Sequence, residues 1–112
     1  MEAVARLLGL ESRPTAVFCY DDMTALGAMR QIRACGLSVP ADISVVGFDD
    51  LPIARYTEPP LTTVRQPMPD MGRMAMAAML DLLAGSSASH NIRVPGELVI
   101  RGSSAPPKHL QD

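Results

Sequence analysis

The chain has 112 residues, 47% of them hydrophobic and 20% charged, the composition of one ordinary globular domain and not of two. Its formal charge of −2 excludes a free-standing nucleic-acid binder, which needs a basic face to displace phosphate counterions. No apolar run approaches the length of a membrane span and no basic-then-apolar leader opens the chain, so the expected compartment is the cytoplasm, with no membrane partner.

Val4, Leu7 and Leu8 stand at helical spacing, and the break Glu11-Ser12-Arg13-Pro14 ends a short first helix. The run Thr15 to Tyr20 is continuously apolar and rich in β-branched and aromatic residues, which predicts a strand buried on both faces. Asp21-Asp22 closes it. From Met23 the period changes to 3.6, with Ala25, Leu26, Met29 and Ile32 on one face, and Gly36 followed by Pro40 stops that helix near Cys35. Ile43 to Phe48 is the next strand, ending in a second acidic pair, Asp49-Asp50. Helix, strand, helix and strand joined by short loops form a βαβ crossover, and hence a parallel α/β sheet.

Pro52, Pro59 and Pro60 exclude a central strand between Leu51 and Pro60 and leave one helical turn over Pro52 to Tyr56. Leu61 to Val64 is a short extended stretch suited to crossing between layers or lobes. Met68 to Ala84 has the strongest helical pattern, with Pro69 in its first turn and Gly85 as its stop. Apart from the stripe Asp70, Arg73 and Asp81 it is apolar nearly all round, which predicts a helix packed between neighbours, its methionines acting as adaptable filler and not as a metal box. Ile92 to Val94 is a brief extended piece and Glu97 to Arg101 a last strand. The tail from Gly102, with Pro106 and Pro107, is expected to be disordered or loosely docked.

In an open parallel sheet, ligands bind beyond the carboxyl ends of the strands. Asp21, Asp22, Asp49 and Asp50 all fall at that edge, so four carboxylates face one cleft. Ionised carboxylates only accept hydrogen bonds, which suits the hydroxyls of a sugar or nucleoside. One Asp of each pair equally suits an N-cap; the first of each pair, nearer the strand end, is the better ligand candidate. There is no phosphate-cradling glycine loop, no nucleophile elbow and no His at a strand end, since His90 lies in a polar loop and His109 in the tail. Catalysis, cofactor and metal are therefore not expected. Cys19 and Cys35 have no disulfide or zinc spacing and read as reduced thiols. A two-component receiver domain has a similar length and acidic pairs but needs a lysine at the end of its last strand, whereas the single lysine here, Lys108, follows two prolines.

Pro14 to Cys19, Asp21 to Met29, the stretch Gly36 to Asp50, the crossing Pro59-Pro60-Leu61-Thr62-Thr63-Val64 and the ending Glu97 to Ser104, in this order, closely resemble the sensor domain of LacI/GalR transcription regulators. The resemblance implies a parallel-sheet, Rossmann-like lobe of a periplasmic-binding-protein-like (type I) α/β fold, incomplete in this chain. Residues 1–104 would be the sensor portion, with 1–61 mainly in the C-terminal lobe, 62–97 crossing to the other lobe and 98–104 returning; 105–112 would be a flexible tail. It further implies a small-molecule effector, a sugar or nucleobase, in the cleft between lobes. Asp49 matches the family's effector-contacting acid. Asp21 falls where the family usually has Asn, a donor-acceptor amide exchanged here for an acceptor, with Asp22 beside it. Homodimer contacts would run through about Ala25 to Arg30 and Ile53 to Glu58, with Ala25, Met29, Ile53 and Tyr56 as candidates. The family's helix-turn-helix does not lie within these residues, so DNA would be met only through an N-terminal domain. A sugar-binding protein of a transporter shares the fold and is the alternative.

Overall fold

The computed structural model describes residues 2–85 and 91–108; His90 and His109 lie outside them. The elements are α1 (Glu2–Leu8), β1 (Ala16–Phe18), α2 (Asp22–Ala34), β2 (Ser44–Asp49), a 3-10 turn (Pro52–Arg55), β3 (Thr62–Arg65), α3 (Met68–Leu83) and β4 (Glu97–Val99). The four strands form one sheet in the order β1-β2-β3-β4. Val17 pairs with Val45, and Val46 with Thr62, both in parallel; β4 runs antiparallel, Thr63 facing Val99. The sheet is thus mixed, and Leu61 to Val64 is not a bare crossing but feeds a strand paired on both sides. Ile92 to Val94 forms no strand.

α2 begins where Asp21, in extended conformation, accepts the Thr24 N–H at 2.6 Å. It ends where Gly36 turns left-handed at φ 74°, letting the Leu37 N–H donate back to Ile32 O at 3.1 Å. The stripe Ala25, Ala28, Met29 and Ile32 packs with Ile43, Val45, Ala54 and Leu61 to form the core, and Val4 and Leu8 of α1 close its rim. Full burial of a side chain such as Ile32 or Leu61 contributes about 2–3 kcal/mol.

Three expectations are corrected by the packing. β1 is not buried on both faces: α2 covers one face of the sheet, and Phe18 on the other is 66% exposed, touching Phe48 edge-to-face with ring centroids 6.4 Å apart. α3 is not packed between neighbours; none of its residues is buried, and only a shallow groove with Ile92 and Val94 partly shelters Met71 and Met74. The tail as far as Lys108 is docked, because Ser103 fills the gap between the first residues of β2 and β3. Its hydroxyl donates to Val45 O at 2.6 Å and accepts the Thr62 N–H at 2.8 Å, while its carbonyl accepts the Val45 N–H. Ala105 exchanges hydrogen bonds with the Ser44 hydroxyl, and Lys108 pairs with Asp42 at 2.7 Å. Among the described residues no helix is long and apolar enough to cross a membrane.

Candidate functional site

The parallel strands β1, β2 and β3 all end at one edge, and the residues at or just past their ends, Asp21, Asp49-Asp50 and Gln66, fall along it. Asp49 is half-buried, and its Oδ1 accepts from Gln66 Nε2 at 2.5 Å. Among the described residues no donor reaches its second oxygen. An acceptor oxygen beside an amide that keeps a free N–H and C=O can bind a hydroxyl from both sides.

The four acids divide differently from the expectation that one of each pair caps a helix and the first of each pair is the better ligand candidate. Asp21 is the cap of α2, and hydrogen bonds from Thr24 hold its carboxyl below the usual carboxylate value. Asp22 is fully buried: Oδ2 accepts the Leu51 N–H at 2.7 Å and Oδ1 the Thr63 hydroxyl at 2.5 Å. Asp22 therefore supports the loop after β2 from behind, and both its oxygens are engaged inside the chain. Asp50 is also interior, its side chain 2% exposed, accepting from Arg65 Nε at 2.7 Å and Arg101 Nη2 at 2.5 Å. Burial pushes the Asp50 carboxyl up, but the hydrogen bonds and charges of Arg101 and Arg65 outweigh this and leave it below its ordinary value. Beside the cap, burial and the charge of Asp21 push the Cys19 thiol up, so Cys19 stays a protonated core residue.

Sequence reasoning missed Gln66, Thr63, Arg65 and Arg101. Thr63 and Arg101 lie in stretches that carry the family resemblance, but no spacing marks any of the four as a site residue; the parallel register Gly47 to Thr63 and Asp49 to Arg65 brings Thr63, Arg65 and Gln66 to the site, and Arg101 arrives there from beyond β4. Of the four residues put forward for a dimer interface, Ala25 is fully buried and Met29 is 4% exposed, because the α2 stripe faces the chain's own sheet. Ile53 and Tyr56 remain on the surface. Among the described residues no group of three or more His, Cys, Asp or Glu side chains converges as a metal site would require.

Asp21, Asp42 and Asp50 all take up their protons at lower pH in the folded chain than in the unfolded one. Their stabilisation is complete above about pH 4 and is lost as pH falls further, with the more exposed Asp21 and Asp42 contributing less through solvent screening. Thermal melts across an acid series should show Tm falling below about pH 4, and Asp50→Asn should flatten that limb. An unchanged limb in Asp50→Asn would assign acid unfolding to other groups.

A profile of the periplasmic binding protein-like domain family matches residues 1–104. The transcriptional regulator MalR of Streptomyces coelicolor is 50% identical over 105 residues, covering 92% of this chain and 30% of its own length. The lactose operon repressor of Rhizobium radiobacter is 40% identical over 101 residues, covering 90% of this chain and 89% of that protein. The lac repressor dimer bound to operator and the anti-inducer ONPF superposes with a TM-score of 0.81 at 38% identity, covering 92% of this chain and 36% of that one. The chain spans about a third or less of the length of MalR and other curated regulators it matches. Matched along almost its whole length, and folded like the sensor domain of such a repressor, this chain belongs to the periplasmic-binding-protein-like family, among the LacI-type transcription regulators.

Proposed function

We propose that this chain is the effector-sensing and dimerising portion of a LacI-type regulator that works on DNA in the cytoplasm. The observation that carries the reading is the Asp49–Gln66 pair, an acceptor and a donor 2.5 Å apart at the carboxyl edge of the parallel strands. With Asp21 on the same edge of the sheet, that edge offers a set of acceptors and one amide, which fits a neutral, hydroxyl-rich molecule of the sugar or nucleoside class. Effector binding would act by population shift, favouring whichever arrangement of the sensor holds the effector more tightly and so changing DNA affinity elsewhere in the regulator. Dimer contacts would run through Ile53 and Tyr56, which are exposed, and along the groove lined by Leu26, Arg30, Arg33, Thr57 and Glu58.

Calorimetric titration with lactose, maltose, D-ribose and adenosine tests the site. At least one of them is expected to bind, and Asp49→Ala to weaken it roughly 30-fold, about 2 kcal/mol, without lowering Tm by more than a few degrees. Equal affinity in the variant, or no binding by any of the four, would remove Asp49 from the effector contacts.

A further inference from the structure

Asp49 and Asp50 both occupy left-handed backbone, at φ 111° and φ 57°, a region non-glycine residues adopt only where their surroundings hold them. The surroundings here are specific. The Leu51 N–H is taken by Asp22, and the Asp50 carboxylate is gripped from two sides by Arg65 and Arg101. Arg101 is itself fixed: Nη1 donates to Leu61 O at 2.8 Å, its backbone N–H donates to Thr62 Oγ1 at 2.9 Å, and its side chain is 13% exposed. Arg65 reaches the other way, to Glu97 at the start of β4, at 3.1 Å.

Chain connectivity links this ion cluster to the ligand-facing pair. Asp49 is the residue bonded to Asp50, and Gln66 is the residue bonded to Arg65. The spacing of the acceptor and the donor is therefore set by the spacing of the two ion-pair partners beside them. Arg101, following β4, locks that spacing from 51 residues away.

We propose that Asp50, Arg65 and Arg101 are positioning residues that hold Asp49 and Gln66 in register for a ligand and couple that pair to the strand β4. The proposal rests on the reading of Asp49 as a ligand contact. Coupling of this kind is reciprocal: a ligand that draws on Asp49 and Gln66 pulls on Arg101, and a displacement of β4 alters the pair. A guanidinium suits the task because it can donate to Asp50 and to Leu61 O in one rigid plane, which a lysine cannot do.

The test needs no ligand. In the nitrogen-15 NMR spectrum of the 112-residue chain, the Gln66 side-chain amide reports directly on its bond to Asp49, and the hydrogen bonds of Arg101 go to Thr62, Leu61 and Asp50 instead. Arg101→Gln is expected to move that signal toward the position of a free glutamine and to shift the Asp50 and Leu51 amides, leaving Ala25 and Ile32 of α2 in place. Arg101→Lys keeps the charge and loses the fork; it should fold and show the same signature more weakly, and it decides the matter if Arg101→Gln does not fold. A Gln66 signal unmoved in a folded variant, or shifts spread evenly through α2 and β1, would overturn the proposal. Failure of the sugar titration with the NMR signature intact would instead overturn the site reading and leave the positioning couple standing.

Discussion

Asp22→Ala is expected to lower the stability of the chain by about 3 kcal/mol, or roughly 12–20 °C in Tm for a domain near this size. The carboxylate is wholly inside the protein, and its removal strands two donors at once, the Leu51 N–H and the Thr63 hydroxyl, the latter on a residue with no exposed surface. A hydrogen bond to a charged acceptor is worth about 1.5–3 kcal/mol, and a buried donor left without one bears its full desolvation cost. Asp22→Asn should recover most of the loss, since the amide oxygen can take the Leu51 N–H while the Thr63 hydroxyl rotates to accept from the new NH2 group. Thermal denaturation of both variants checks the ordering; an Asn variant as unstable as the Ala variant would show that the charge, and not the hydrogen bonds, matters.

Gly47→Ala should cost about 2–3 kcal/mol for the complementary reason. A Cβ at this position would fall on the Asp22 carboxylate and lie 3.0 Å from Leu61 Cδ2, in a region where Leu61 is fully buried. The glycine in the middle of β2 is thus the space that the interior carboxylate occupies. The two substitutions should not be additive. Once Asp22 is alanine the principal clash is gone, and Gly47→Ala should cost about 1–2 kcal/mol less in that background than alone. Denaturant unfolding of the two single variants and the double variant measures this coupling; strict additivity would mean that Leu61, and not Asp22, limits the space.

These two residues also explain why the acidic pairs were only half legible. The chain order Asp-Asp after each strand correctly located the carboxyl edge, and a capping aspartate was foreseeable from the helix that follows. Which aspartate caps was not. Asp21 caps and Asp22 points inward because α2 starts over Gly47 and Thr63, and that placement depends on the register of β2 with β3. In the second pair the inner member is Asp50, held by Arg65 and by Arg101, partners 15 and 51 residues away. Asp49 is left facing outward with Gln66, a residue that no spacing rule singles out.

The dimer candidates show the same division. The helical stripe through Ala25 and Met29 was legible as an apolar face, but a face that fits a core fits an interface equally well. Only packing shows that Ile43, Val45 and Leu61 occupy it, leaving Ile53 and Tyr56 outside.

The sequence by itself determined the elements whose causes are local. α2 is bounded by the Asp21 cap and the left-handed Gly36; β2 is specified by its run of β-branched and aromatic residues; the prolines confine the segment after it to a 3-10 turn. Each of those signals acts over a few bonds, through side-chain capping, fixed φ or periodicity. Tertiary structure alone decided the antiparallel direction of β4, the docking of Ser103 between β2 and β3, the exposure of Phe18 and of most of α3, and the division of four acids into a cap, two interior anchors and one acceptor paired with Gln66. Those outcomes depend on which distant backbone reaches a given donor or acceptor first, and hydrogen-bond partners tens of residues apart leave no periodic trace in the chain.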